Sequence, residues 1–168
     1  NNKREYLADK RVRKAIRLAV SKQALIAAFG TQEPINLTGW MSYAALGATL
    51  RDQLATEPGY REDKTEDIIE ARKLLADAGY PDGKGFPTLD LLVASVAPHS
   101  EILAPAFQDQ LLTALNINSK IRVTERALLS QHTSAGEYDI SVGTAFGSPT
   151  QDPTPMWMTN FTCGGLRA

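Results

Sequence analysis

Asp9-Lys10-Arg11-Val12-Arg13-Lys14-Ala15-Ile16-Arg17-Leu18-Ala19-Val20-Ser21-Lys22-Gln23-Ala24-Leu25-Ile26 reads as two short helices in tandem. Val12, Ala15, Ile16, Ala19 and Val20 fall on one stripe at helical spacing. Asp9 suits an N-cap or first-turn acid, where the helix dipole favours negative charge. Ser21 interrupts the stripe and can cap a second helix running through Leu25, Ile26 and Phe29. Gly30 closes that helix, because glycine accepts the left-handed geometry of a helix end.

Beyond Gly30 the pattern loosens. Residues 31–64 hold Pro34, Gly39, Gly47, Pro58 and Gly59, with room for a short helix near Leu46–Leu54. A structureless connector of that length is uncommon in a compact domain. The stretch is therefore expected to pack Trp40, Met41 and Tyr43 against something. Core packing is the ordinary use of a tryptophan such as Trp40, and lining a cleft is the other option.

Regularity returns at residue 65, where Ile68, Ala71, Leu74, Leu75 and Ala78 recur at helical spacing. Gly79 and Pro81 stop that helix, and Tyr80-Pro81-Asp82-Gly83 is a strong turn signal. Leu89, Leu91 and Val93 then alternate with Asp90 and Leu92 as a strand. Residues 101–115 read as a helix, with Pro105 either kinking it or sitting in its first turn. Asn116 suits its C-cap, since asparagine tolerates the left-handed region. Ile117, Ser119, Ile121 and Val123 alternate as a second strand. Ala127–Ala135 is a short helix closed by Gly136, and Tyr138–Gly143 is a third strand.

The order strand, helix, strand, helix, strand predicts an α/β fold, a mixed sheet with helices packed on it and at least partly parallel pairing. Ligands of such sheets sit outside the carboxyl ends of the strands, on the loops that follow. Two loops qualify, Ala94–Ser100 and Thr144–Asp152. The second is small, polar and punctuated by glycine and proline. Gly147 lets backbone approach a ligand, Phe146 offers an apolar face, and Ser148 and Thr150 offer hydroxyls. Its composition fits an ordinary strand-to-helix connection equally well.

At 168 residues the chain suffices for one domain with a real core, and 43% hydrophobic with 22% charged residues is ordinary for a globular protein. No apolar run approaches the roughly 20 residues of a membrane helix. Charge is uneven. Residues 1–22 hold eight Lys/Arg against Glu5 and Asp9, a surplus that a solvated helix face explains more simply than a nucleic-acid surface does. A DNA-binding helix pair would want cations on its second helix, and Gln23–Phe29 has none. The abrupt opening, with no hydrophobic signal core, reads as a piece of a longer polypeptide. Cys163 is the only cysteine, so any disulfide partner would lie outside this sequence.

Catalytic patterns are absent. His99 and His132 are the only histidines, and no nucleophile elbow surrounds Ser100. No His/Cys cluster has metal-ligand spacing, and no Walker loop or dinucleotide fingerprint appears. The acid pair Glu66/Asp67 is expected on an exposed helix start, where the dipole explains it. No enzyme activity, metal or cofactor is expected.

The opening run closely resembles the start of the last large lobe segment in the peptide/nickel class of extracytoplasmic solute-binding proteins (family 5). The phrase Glu70–Gly83, an alanine-rich helix running into a Gly-aromatic-Pro turn, resembles the same class. The likeness covers most of residues 5–30, 65–93 and 107–153. It implies one lobe of a class II periplasmic-binding-protein-like fold: a single unit over 1–168, helical at 5–30, irregular at 31–64, βαβαβ-like at 65–143, with a cleft loop at 144–153. It implies the substrate-binding component of an ABC importer for peptides or similar small solutes, with membrane permease subunits and the remaining lobe as partners and no nucleic acid. The implied compartment is periplasmic, or extracellular and membrane-anchored, the signal segment lying outside this piece. The alternative is the ligand-sensing domain of a transcription regulator.

On that resemblance the expected ligand-binding residues are Thr144, Ala145, Phe146, Gly147, Ser148, Thr150, Trp40 and His99. Members that hold dipeptides by both termini carry a Trp and an acid in the loop ending Asp-Pro, and an Arg after the first strand. Here Phe146 stands near the Trp position, Pro149 or a neighbour where the acid would be, and Ala94–Ser100 has no Arg. Burying a zwitterion without opposite charges costs roughly several kcal/mol per unpaired ion, so a free dipeptide is disfavoured. Some members also pair a cysteine placed like Cys163 with one further downstream.

Overall fold

A computed structural model describes residues 4–28, 51–95 and 98–142, together with Thr154 and Met158; the side chains of 51, 52, 98, 99 and 101 lie outside the description. The expectations placed on Phe29, Gly30, Trp40, Met41, Tyr43, Gly143 to Pro153 and Cys163 fall outside these residues.

The opening run forms α1 (Glu5–Ala8), α2 (Lys10–Ala19) and α3 (Lys22–Ala28). Asp9 caps α2, its Oδ1 accepting the Arg11 amide at 2.8 Å. Ser21 caps α3, its Oγ accepting the Ala24 amide at 3.2 Å. The predicted stripe is the buried one: Val12, Ala15, Ile16, Ala19 and Val20 are in the core, joined by Leu18. α4 (Arg51–Leu54) is the short helix expected there, and α5 (Thr65–Asp77) follows. α2 lies along α5, and both meet the later half of α6 (Pro98–Leu115).

Between α5 and the sheet the chain turns at Pro81–Gly83, a single 3-10 turn with Asp82 at φ +52° and Gly83 at φ +72°. Gly83 is required on two counts. A Cβ there would lie 2.5 Å from the Leu115 carbonyl oxygen and 2.6 Å from that of Asn116, and its φ is left-handed. Asn116 also turns left-handed, at φ +56°, and its side-chain Nδ2 donates to the Asp82 carbonyl at 3.0 Å. The end of α6 is thus fastened to the turn after α5.

β1 (Leu89–Ala94), β2 (Ser119–Thr124) and β3 (Ile140–Val142) form a sheet in the order β2-β1-β3, both pairings parallel. α6 and α7 (Arg126–Ala135) are the crossovers. Gly136 closes α7 in the left-handed region, as its position predicts. β1 is buried at Leu89, Leu91, Leu92, Val93 and Ala94, so both of its faces are covered, the usual state of a central parallel strand. β2 is an edge strand among the described residues, and Val123, expected to alternate inward, is 57% exposed. Pro105 lies inside α6 rather than in its first turn, because the helix starts at Pro98. Its ring has no N–H, so one helical hydrogen bond is missing there. Pro98, His99 and Ser100 accordingly belong to α6, which shortens the first candidate loop.

Two carboxylates anchor the polar frame. Asp139 is buried just before β3; its Oδ1 accepts the Tyr6 hydroxyl at 2.7 Å and its Oδ2 accepts the Asp90 amide at 2.7 Å. Arg4 Nε completes the set at 3.2 Å. Asp67 corrects an expectation. Glu66 is exposed as predicted, but Asp67 is 1% exposed and faces inward. Its Oδ2 takes the Lys64 ammonium at 2.5 Å and the Gly59 amide at 2.8 Å. The dipole argument missed this because the turn before α5 brings the Gly59 amide and the Lys64 ammonium onto this carboxylate.

Candidate functional site

Because both pairings are parallel, β1, β2 and β3 end on one edge of the sheet. Ala94, Thr124 and Val142 are the last residues of the three strands. The Ser95 amide donates to the Thr124 carbonyl at 2.8 Å and carries the pairing one step beyond β1. From this edge the chain enters α6 through residues 95–97 and leaves β3 into residues 143–153. Both predicted ligand loops therefore spring from the same side, as sheet geometry requires.

His99 is in the first turn of α6, at that edge, with its side chain outside the description. Thr144, Ala145, Phe146, Gly147, Ser148, Thr150 and Trp40 lie outside the described residues. Ala94, Ser95, Thr124 and Val142 carry no charge at this edge, while Glu125 and Arg126, both exposed, follow β2 there. Ser100, the last residue of the first candidate loop, is fully buried at the start of α6, and among the described residues its hydroxyl has no hydrogen-bond partner.

Paired charges lie at the sheet's other end. Arg122 pairs with Asp90 at 2.8 Å and also donates to the Glu137 carbonyl; hydrogen bonds to Asp90 hold its guanidinium pKa up. His132 Nδ1 is 2.9 Å from Glu137 Oε2. Burial, then the hydrogen bond to Asp139, push the Tyr6 hydroxyl up to about 12. A cavity of about 180 Å³ lined by Arg72, Asp82 and Thr113–Asn116 lies at the far end of α6, away from the strand-end loops. Another of about 440 Å³ lies beside α4 and the start of α5.

The basic opening is mostly engaged by this domain. Arg11 pairs with Asp9 and donates to the Asp77 carbonyl at 2.7 Å. Arg13 donates to the Leu7 and Ala8 carbonyls, and Lys14 pairs with Glu70 at 2.6 Å. Arg4 is on Asp139 and Lys22 on the Gly59 carbonyl. Among the described residues no three His, Cys, Asp or Glu side chains could hold a metal, and no helix is long and apolar enough to cross a membrane.

A family model described as the middle region of bacterial extracellular solute-binding proteins, family 5, matches residues 1–166. Solved structures share the fold. OppA of Burkholderia pseudomallei matches with a TM-score of 0.77 at 20% identity, over 99% of this chain and 31% of its own. Haemophilus influenzae OppA, in complex with the peptide RPPGFSPFR, gives 0.66 at 22% identity, over 84% of this chain and 27% of its own. NikA of Brucella suis, in complex with Fe(III)-EDTA, gives 0.64 at 22% identity, over 95% and 31%. A search of curated proteins finds no match. The chain spans roughly a quarter to a third of the length of the structures it matches.

Proposed function

The chain belongs to family 5 of the bacterial extracellular solute-binding proteins, and from that premise we propose that it supplies one wall of a two-lobed solute grip. The whole protein would be the substrate-binding component of an ABC importer, capturing peptides or similar small solutes between this lobe and a second one. The closed form would dock on membrane permease subunits. Its compartment would be the periplasm, or the outer surface with a membrane anchor, and the family's extracellular character weighs against a sensing module inside the cell.

The observation that carries this reading is the common edge: three parallel strands ending together, with both candidate loops leaving from it. A parallel sheet offers ligands its carboxyl edge because backbone amides and loop side chains converge there. Thr144, Ala145, Phe146, Gly147, Ser148 and Thr150 would line the wall from one loop, with His99 and Trp40 beside them. The first candidate loop has no Arg for a peptide carboxylate, which suits a ligand gripped through backbone hydrogen bonds better than a bare zwitterion. A dipeptide would need both opposing charges from the other lobe, at a desolvation cost of roughly several kcal/mol per unpaired ion.

Isothermal titration of the full-length protein against di-, tri-, tetra- and pentapeptides with neutral side chains tests the reading. Binding of the longer peptides and at least tenfold weaker binding of the dipeptide are expected. Absence of binding to every peptide would reject a peptide importer. A dipeptide held as tightly as a pentapeptide would reject the ligand class.

A further inference from the structure

α3 is seated by polar ties more than by burial. None of its described residues is fully buried, and a seven-residue helix is not stable alone in water. Lys22 Nζ donates to the Gly59 carbonyl at 2.7 Å and stands 4.1 Å from the centre of the Tyr60 ring. Gln23 Nε2 donates to the Tyr60 carbonyl at 2.5 Å, and the Ser21 amide donates to Gln110 Oε1 at 2.7 Å. The turn at 57–60 that receives Lys22 and Gln23 is held in turn by buried Asp67, which takes the Gly59 amide at 2.8 Å.

The charges at this seat do not cancel. Four cations meet around the turn: Arg17 from the last turn of α2, Lys22 from α3, and Arg61 and Lys64 from the segment leading into α5. Lys64 is paired with Asp67 at 2.5 Å and Arg61 with Glu66 at 2.6 Å. Arg17 and Lys22 have no carboxylate of their own. The partners of Lys22, a carbonyl and a ring face, are neutral. Among the described residues the Arg17 guanidinium has no hydrogen-bond or ion-pair partner. It nonetheless lies against the turn: a Cβ on Gly59 would come within 3.7 Å of Arg17 Cζ and of one terminal nitrogen. One glycine therefore carries Lys22 on its carbonyl and leaves the room that Arg17 occupies. A cation near the end of α2 suits the helix dipole, but the dipole does not call for a second one beside it.

Two like charges held side by side are a receptor for an anion. A guanidinium offers a fork of donors, and the Lys22 ammonium keeps two N–H groups beyond the one on Gly59. Charge-assisted hydrogen bonds from both would reach one oxyanion, and two surplus charges match a dianion. The repulsion is already felt by Lys22: burial, then Lys64 and Arg17, push its ammonium down to about 8, with Asp67 opposing. We propose that Arg17 and Lys22, beside the Gly59 turn, form a binding site for a phosphate-type dianion. The bound ion relieves the repulsion and ties α2 to α3. The site stands independently of the transport reading.

Competitive labelling of the full-length protein with trace acetic anhydride at pH 8 tests it, each lysine being followed by mass spectrometry and normalised to exposed Lys73 and Lys84. The runs contain inorganic phosphate, acetate or chloride at one ionic strength. A bound dianion favours the charged amine, so phosphate should cut Lys22 acetylation about fivefold relative to chloride, and acetate by less than about twofold. Arg17→Gln should abolish the difference between phosphate and chloride. Arg17→Lys, which keeps the charge without the fork, should retain part of it. Equal labelling of Lys22 in phosphate and chloride would overturn the site, since any common effect is ionic screening. Protection by acetate as strong as that by phosphate would overturn the dianion. Phosphate protection that survives Arg17→Gln would overturn the role of Arg17. The wild-type comparison decides the site even where a variant fails to fold, which hydrogen exchange over β1 would reveal.

Discussion

The centre of the sheet and the seat of α3 are built on opposite plans. β1 is apolar on both faces and is clamped by α6 and α7, so its place is fixed by burial. The seat of α3 contains no fully buried apolar side chain from that helix; it is fixed by an ammonium, a carboxamide and one inward carboxylate. The first plan tolerates little change of volume and is indifferent to pH. The second tolerates changes of shape and depends on charge.

The largest expected effect lies in the first region. Leu91 is fully buried at the middle of β1 and belongs to the core cluster. Leu91→Ala removes its transfer energy and leaves a cavity, at a cost of about 2–5 kcal/mol. Exchange of the slowest β1 amides in the full-length protein should accelerate accordingly, at every pH between 6 and 9. A cost under about 1 kcal/mol would mean that the centre is loosely packed and the contrast false.

Next comes Asp67→Ala, which attacks the second region at its one buried charge. The change strands the Lys64 ammonium, whose side chain is only 11% exposed, and the Gly59 amide. Removing one member of a buried pair costs about 3–5 kcal/mol. Screening from the partly open Arg61 side places this variant at about 3. Asp67→Asn keeps an acceptor for Gly59 but loses the ion pair, and should fall between. Equal exchange in wild type and Asp67→Ala at the start of α5 would show that Asp67 does not hold the Gly59 turn against that helix.

Tyr6→Phe is milder. It takes one hydrogen bond from Asp139, which keeps Arg4 and the Asp90 amide. About 1 kcal/mol is expected, seen as faster exchange in α1 and not in α2.

The difference between the plans also explains what could be read from the sequence. Val12, Ala15, Ile16, Ala19 and Val20 announced themselves because burial on one face imposes a period of 3.6. Gly136, Asn116 and the Tyr80–Gly83 turn were legible because few residues accept their geometry. Leu92 was misleading only in part: alternation predicts one dry face, and a central parallel strand has two. Asp67 and Asp139 were not legible, because a carboxylate looks the same in sequence whether it faces water or an orphaned amide. Asp67 had one faint signal, Lys64 three residues before it, a spacing that places the pair on one side of the chain. The strand ends that lead into the two candidate loops were legible from topology, while the side-chain roles came from family resemblance alone.

The smallest expected effect is a pH dependence confined to α3. Burial, then repulsion from Lys64 and Arg17, push the Lys22 ammonium down to about 8, with Asp67 opposing. A lysine whose pKa is lowered on docking is held against its preference for charge, whereas its ordinary value is 10.5. The docking penalty is therefore complete below pH 8 and is relieved as pH rises from about 8 toward 10.5. The groups facing Lys22 are Arg17 from α2, Lys64 and Asp67 at the start of α5, and the Tyr60 ring, so salt should soften the trend only modestly. After correction for intrinsic exchange chemistry, protection of α3 amides should increase between pH 8 and 9.5 in the wild type and stay level in Lys22→Met. β1 amides should show no such slope in either protein. A slope of the same size in both regions would assign it to the whole domain and erase the distinction between a wall set by burial and a seat set by charge.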